Sequence, residues 1–268
     1  MILRPIGEEN ERGSAADLAA HVKNSFISKQ QAASGYLPAW SVIARKQTTR
    51  ADRYLLITQP DHAWLAGELA AQFHASFLPE VGSAMARAIG VHDDGWLMFE
   101  PERDYAADPM LLADGRPCSF IDVPIRDSIR AWRGSIEAAA RYDGECIVAG
   151  HFLRLARGRL QSGCDAGEDL SALQLFVSDT ERRQEERKPI AECIDLLQLC
   201  DTLSLYLCCG TTDAVEFPQR FGSEAIRARF EDAMYVTAPS LFGSPVRFTI
   251  AGRQFPTRET VQVEIRIR

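Results

Sequence analysis

The most constraining feature of this chain is a long apolar segment at residues 194–207 that carries two aspartates. Its sequence, IDLLQLCDTLSLYL, is apolar nearly all round a helix, a pattern typical of a helix at the centre of a domain. The segment is shorter than the ~20 residues that a membrane span requires. Aspartate is almost never fully buried unless it is paired or binds a metal, so Asp195 and Asp201 need partners inside the fold.

Helical patterning extends well beyond this segment and defines the predicted fold. Between residues 59 and 210 apolar residues recur mainly at helical spacing, whereas residues 40–58 and 234–268 contain runs that alternate with period two. We therefore predict a mainly α protein with a helical core at about 59–210. A small β element is expected from an N-terminal hairpin (about 40–58) and C-terminal strands (about 234–268), with a short helix at residues 223–233.

The predicted organisation is one domain preceded by an extension. Residues 1–38 are predicted to be an N-terminal extension with one helix, for which Ser14 is a suitable N-cap. Residues 39–268 then form a single domain. A chain of this length buries roughly 70–75% of its unfolded surface, so it needs no disulfides to be stable.

Charge and cysteine usage exclude several classes of function. The 268 residues include 37 acidic and 30 basic side chains, a net charge of −7, whereas proteins that bind duplex nucleic acid carry a basic excess. Seven cysteines occur without a Cys-x-x-Cys pair, so neither a disulfide framework nor a thiolate zinc site is predicted. With no signal-peptide pattern and no membrane span, a reducing cytoplasm is the expected compartment.

Three of the five histidines lie on apolar helix faces. His62 begins such a face, His92 ends one on the following helix, and His151 lies in the middle of a third. Burying these groups together with Asp201 would cost several kcal/mol if nothing held them together. A divalent cation offsets this cost, because imidazole and carboxylate are its natural ligands. We therefore predict one or two bound divalent ions, of Mn, Fe or Zn.

The order of these residues resembles the HD-domain superfamily of metal-dependent phosphohydrolases. In that all-helical fold, a histidine, a His-Asp doublet and a later aspartate come from separate helices, and the doublet aspartate can bridge two ions. The resemblance implies an HD-like helical bundle whose metal ligands are His62, His92, Asp93, His151 and Asp201. His151 matches the additional histidine of two-metal members. Spacing alone leaves Asp195 as an alternative to Asp201.

The chain also resembles an uncharacterised bacterial family of unknown function. The matching stretches are residues 57–62, the run His92-Asp-Asp-Gly-Trp, residues 108–120 and residues 195–207. This resemblance covers roughly residues 50–255 and assigns no activity. The family's usual histidine is replaced here by Pro60, so that position cannot be an obligatory ligand.

Three further residues are candidates for roles in catalysis or substrate binding. Asp94 either accepts a proton or only stabilises the Asp-Gly turn. Trp96 either stacks on a substrate or packs in the core. Arg116, on a long polar loop, either binds phosphate through its planar guanidinium or lies solvated on the surface.

Three functions are compatible with the sequence. The first is an HD-type metal-dependent hydrolase in which a metal-activated water cleaves a phosphate ester or nucleotide, with a small phosphorylated molecule as its partner. The second is a di-iron oxygenase-like protein on the same fold. The third is a non-catalytic helical protein, a homodimeric binding or regulatory module in which the inward His and Asp side chains form a buried polar network. The chain has no phosphate loop, dinucleotide fingerprint or nucleophile elbow.

Overall fold

The helices of the protein follow one another along the middle of the chain. The computed structural model describes residues 4–5, 42–46, 53–99, 109–187 and 191–268; the predicted helix near Ser14 lies outside them. The α-helices are α1 (Gln59–Ala71), α2 (Ser83–Gly90), α3 (Ile125–Ala139), α4 (Glu145–Ser162), α5 (Gly167–Arg187) and α6 (Ala191–Cys209). Short 3₁₀ segments occur at Asp94–Phe99, Phe120–Asp122 and Ala140–Tyr142.

The strands form one sheet, which has eight members among the described residues. They are β1 (Arg4–Pro5), β2 (Val42–Lys46), β3 (Tyr54–Thr58), β4 (Val215–Phe221), β5 (Glu224–Glu231), β6 (Met234–Ala238), β7 (Val246–Phe255) and β8 (Thr260–Ile267). Their order across the sheet is β1-β4-β5-β6-β8-β7-β3-β2. Neighbouring strands are antiparallel except β6 and β8.

The predicted fold class is therefore wrong, because the protein is a mixed α/β protein and not a mainly α bundle with a small β element. The predicted N-terminal hairpin is present, and β3 pairs with the C-terminal strand β7. However, the sheet also includes β4 and β5, which begin well before residue 234. The predicted helix at residues 223–233 is strand β5, in which buried Ile226 and Ala228 alternate with exposed Arg227 and Arg229.

Helix α6 lies at the centre of the molecule, as its composition predicts. It packs against α1 and α4 on one side and against β2 and β4 on the other. Buried Tyr206 of α6 contacts Phe217 of β4 and Tyr235 of β6 edge-to-face, so one apolar core joins the helices to the sheet. No helix in the described part of the chain is both long and apolar enough to cross a membrane.

Candidate metal centre

His62 lies in the first turn of α1, and the cap of this helix orients it. The Thr58 side chain accepts a hydrogen bond from the backbone N–H of Asp61 at 3.1 Å, and Pro60 occupies the first turn, where its missing N–H has no helical partner to lose. His62 is consequently held on the buried face of the helix, which also carries Leu65.

His92 and Asp93 lie just beyond the end of α2 rather than on it. The backbone N–H of His92 bonds to the carbonyl of Ile89 at 3.2 Å, and that of Asp94 bonds to Val91 at 3.0 Å. These tighter three-residue turns close the helix and lead directly into the segment Asp94–Phe99. Both His92 and Asp93 are buried, facing the centre of the helical layer.

The remaining two predicted ligands come from the contact between α4 and α6. His151 is buried in the first half of α4, and Asp201 is buried in the middle of α6. Oδ2 of Asp201 is 3.9 Å from Nε2 of His151. The central helix thus presents a carboxylate to the histidines of three neighbouring segments.

The structure brings all five predicted ligands together. Potential ligand atoms of His62, His92 and Asp93 lie within 4.8 Å of one another, as do those of His92, His151 and Asp201. The two groups share His92, and each could hold a metal ion.

Distances within the cluster suit such ions. Nε2 of His92 is 3.5 Å from Oδ1 of Asp201 and 3.6 Å from Oδ2 of Asp93. Nε2 of His62 is 2.9 Å from Oδ2 of Asp93 and 3.7 Å from Oδ1 of Asp201. Ligand atoms bound at ~2.1 Å to one ion are separated by roughly 3.0–3.5 Å, so the cluster is close to the size that a coordinated ion requires.

The hydrogen-bond partner of His62 indicates which of its nitrogens is free. The Ser204 hydroxyl donates its single proton to the backbone carbonyl of Asp201 at 2.8 Å. It must therefore accept at its other contact, so Nδ1 of His62, 2.8 Å away, is the donor. In the neutral ring Nε2 then carries a lone pair that faces an oxygen of Asp93. The nitrogen lone pair and the carboxylate oxygen are both acceptors, so at this distance they require a proton or a cation between them.

In His92, as in His62, Nδ1 is engaged by the protein and Nε2 faces the cluster. Its Nδ1 donates to the carbonyl of Ile89 at 2.7 Å, and its buried Nε2 has no hydrogen-bond partner within the described residues. Nδ1 of His151 is likewise buried without a partner there. Unsatisfied buried nitrogens are rare, and a metal-ligating histidine characteristically donates its other N–H to a carbonyl or hydroxyl. The donor set therefore fits a divalent ion.

The charges in the cluster shift the pKa values of its members in opposite directions. Burial opposes the charged form of His92, but the Asp93 and Asp201 carboxylates outweigh it and raise the pKa of His92 to about 9. Burial lowers the pKa of His151 to about 4, and attraction to Asp201 offsets this only in part. For Asp201 itself, burial favours the neutral acid, but the three histidines hold its pKa well below its usual range.

Trp96 is buried and contacts the cluster through Asp93. Its indole Nε1 donates to Oδ1 of Asp93 at 3.2 Å, while Oδ2 of Asp93 faces His62 and His92. The ring also packs with Phe99. The structure thus gives Trp96 a core position and a contact that orients one predicted ligand. Trp96 also lines the cavity described below, so its predicted role in substrate binding stays a prediction.

The other sequence candidates lie outside this cluster. Asp195 pairs with Arg154, so of the two aspartates on α6 only Asp201 faces the histidines. Arg116 binds both carboxylate oxygens of Asp122 at 2.8 Å. Asp94 begins a 3₁₀ segment and does not line the cavity described below, as far as the described residues define it.

A cavity of about 780 Å³ opens beside the cluster. Asp93, His151 and Asp201 line it, together with three polar residues that sequence reasoning missed: Gln59, Arg154 and Gln198. A signal for them existed in the sequence. Each of the three lies three residues from a predicted ligand on the same helix, and this spacing places the polar residue and the ligand on one helix face. The cavity gives a small molecule access to the cluster.

Fold and site together define a mixed α/β protein with a buried His/Asp cluster that could hold a metal ion. Residues 43–257 match the model of the family described as "Protein of unknown function (DUF3891)", and the chain belongs to that family. This confirms the predicted resemblance to an uncharacterised family and adds no support for the HD-domain resemblance. No curated protein and no solved structure matches the chain.

Proposed function

We propose that the protein is a metal-dependent hydrolase that cleaves a phosphate ester with a metal-activated water. The observation that carries the proposal is the convergence of His62, His92, Asp93, His151 and Asp201 beside an open cavity. A divalent ion in such a site supplies an acidified water at neutral pH and stabilises negative charge on a phosphoryl group.

The unpartnered nitrogens distinguish this proposal from a non-catalytic polar network. In a purely structural network, each buried polar atom finds a partner within the protein. Here the buried Nε2 of His92 and Nδ1 of His151 have none among the described residues. Nε2 of His92 lies 3.5 and 3.6 Å from oxygens of Asp201 and Asp93, a separation close to that of two ligands on one ion, so a bound ion would satisfy this nitrogen. The arrangement therefore favours a ligand-binding centre.

In this proposal some residues of the chain hold ions and others fix the orientation of those ligands. His62, His92 and Asp93 form one group that would hold an ion, and His92, His151 and Asp201 form the other. Because Nδ1 of His92 is engaged by the Ile89 carbonyl, its Nε2 would serve only one ion at a time. Ser204 and the carbonyl of Ile89 fix two of the imidazoles in the tautomer that leaves Nε2 free. During hydrolysis the water would lose a proton as its oxygen bonds to phosphorus, the ester P–O bond would break, and the leaving alkoxide would take up a proton, so that no net proton is gained or lost.

Metal analysis and activity of paired variants test the proposal. Purified protein loaded with Mn²⁺, Fe²⁺ or Zn²⁺ should retain metal after gel filtration and hydrolyse p-nitrophenyl phosphate. Asp93→Ala should lose both properties while keeping the far-UV circular dichroism of the parent. His74→Ala is the matched control, because His74 is exposed and lies outside the cluster, and it should keep both.

Two results would overturn the proposal. Protein that binds none of the three ions is not a metal enzyme. Protein that retains iron, shows the electron paramagnetic resonance signal of a mixed-valence di-iron centre and hydrolyses no phosphate ester would instead have the oxygenase-like function.

A further inference from the structure

The cavity beside the cluster follows one face of α4. His151, Arg154, Leu155, Gly158 and Ser162 all line it, and their spacing of three or four residues places them on a single stripe. At a rise of 1.5 Å per residue, this stripe extends ~16 Å from the cluster to the end of the helix. The cavity is thus a groove with a metal-binding end and a distal end.

Polar donors are found near the metal-binding end. Gln59 is only 2% exposed, lines the groove one helical turn before His62, and its Nε2 has no hydrogen-bond partner among the described residues. Arg154 lies one turn after His151, and Gln198 accepts from its Nη1 at 2.8 Å. Asp195 contacts the same Nη1. Since no other contact of this guanidinium is found among the described residues, its remaining N–H groups are available to a ligand. Both side chains suit the oxygens of a phosphate.

Apolar side chains line the groove beyond these donors. Leu155 directly follows Arg154 on α4, and Phe120 and Ile121 form an apolar wall of the groove. Ile121 is 65% exposed. The nearby pair of Arg126 with Asp169, at the start of α5, places this wall beside the C-terminal end of α4.

The salt bridge of Arg116 supports this apolar wall. Asp122 accepts two hydrogen bonds from Arg116 and one from the backbone N–H of Ser119. These contacts fix the 3₁₀ segment Phe120–Asp122. Arg116 is therefore a positioning residue for the wall, and its guanidinium is already occupied by a carboxylate.

The charged residue that lines the groove near the end of α4 is already paired. Arg159 lines the groove there and makes two hydrogen bonds to Asp165, at 2.7 and 2.9 Å. A ligand body at this end therefore meets an arginine whose charge is neutralised by a carboxylate. This distribution disfavours a second phosphate or a charged headgroup at the distal end.

We propose that the substrate is the phosphate monoester of an alcohol with an apolar body. Its phosphate would lie at the cluster within reach of Gln59 and Arg154, and its body along α4 against Leu155, Phe120 and Ile121. This inference rests on the proposed function and adds the substrate class.

Gly158 offers a direct test, because it lines the distal groove and a Cβ built on it meets no atom within 4 Å. Gly158→Leu therefore fills the groove without a clash and favours the helix. Gln161→Leu is the matched control, since Gln161 is exposed on the same helix and does not line the groove.

The experiment measures binding of methylphosphonate and octylphosphonate to Mn²⁺-loaded protein by calorimetry. These phosphonates mimic the ester but cannot be hydrolysed at the P–C bond. Burial of each methylene strengthens binding up to about fourfold, so octylphosphonate should bind at least about tenfold more tightly. Gly158→Leu should abolish that advantage without changing methylphosphonate affinity, and Gln161→Leu should preserve it. Gln59→Met, which keeps the side-chain volume, should weaken both ligands about tenfold.

The outcomes separate this inference from the proposed function. If the protein binds Mn²⁺ and both phosphonates equally well, or binds adenosine monophosphate more tightly than octylphosphonate, the apolar substrate class is wrong and the metal hydrolase stands. If Gly158→Leu leaves the octyl advantage intact, the body does not lie along α4. If the protein binds no Mn²⁺, the proposed function and this inference both fail.

Discussion

Two aspartates on α6 both lie at its contact with α4, and their surroundings differ in kind. Asp195 is satisfied by the protein, because Arg154 neutralises its charge. Asp201 faces three histidines, two of which have a buried nitrogen without a partner among the described residues. The difference shows where the fold is complete by itself and where it could hold an external cation.

The largest expected effect tests the contrast between Asp195 and Asp201 directly. Asp201→Asn should weaken Mn²⁺ binding by about 100-fold or more, because it removes an anionic ligand, a larger loss than the 10–100-fold of an outer-shell change. Asp195→Asn should change metal affinity by less than about threefold. It should instead cost up to about 1 kcal/mol of unfolding free energy, since the pair that it breaks is partly exposed. Calorimetry measures the first effect and urea denaturation the second. Equal losses of Mn²⁺ affinity in the two variants would contradict the assignment of Asp201.

The convergence of the five residues could be anticipated from sequence, because each signal is local. His62, His151 and Asp201 each interrupt an apolar helix face, and that interruption is visible without knowing which helices pack together. Their supporting contacts could not be anticipated. Ser204 reaches His62 across 142 positions of sequence, and only the tertiary packing of α1 on α6 brings the two together.

The sheet contains more strands than the sequence predicts, and the physical reason is a different one. Residues 224–231 are rich in Glu, Ala and Arg, which favour helices, but pairing with β4 and β6 on both sides overrides that propensity. The turn into β6 uses positive φ angles at Asp232 and Ala233. Such a hairpin turn is usually marked by Asn-Gly or Asp-Gly, and Asp-Ala in its place hides the signal.

The pH dependence of metal binding sharpens the contrast among the histidines. His92, whose pKa of about 9 lies above the ordinary value of 6.5, is protonated at about pH 7 in the metal-free protein and must lose that proton to bind an ion. Mn²⁺ affinity should therefore rise by about tenfold per pH unit from pH 7 and level off above about pH 9. His151, with a pKa of about 4, releases no proton in this range. Calorimetry in buffers of different ionisation enthalpy counts the protons. Binding at pH 7 without proton release would refute this assignment.

Trp96 tests how far the cluster depends on its supporting contacts. Trp96→Phe removes the hydrogen bond to Oδ1 of Asp93 but keeps an aromatic ring in the small cluster with Phe99 and Val123. Metal affinity should fall by about tenfold, as for other contacts that orient a ligand. Trp132→Phe is a suitable control, because Trp132 stacks on Phe152 and no hydrogen bond joins it to Asp93. If both variants lose affinity equally, packing rather than the indole N–H orients Asp93.

Substitution of Asp94 should have the smallest effect. It tests whether Asp93 and Asp94, which are adjacent in sequence, have different roles. Asp93 lines the groove and belongs to a ligand group, whereas Asp94 begins the 3₁₀ segment and its backbone N–H bonds to Val91. We therefore expect Asp94→Asn to leave Mn²⁺ affinity unchanged and to lower kcat for p-nitrophenyl phosphate by less than about threefold. A proton acceptor would contribute ~10²–10⁴-fold, so a loss of that size with metal still bound would assign Asp94 to proton transfer. The chain would then use neighbouring aspartates for different tasks, one at the ions and one at the reacting water.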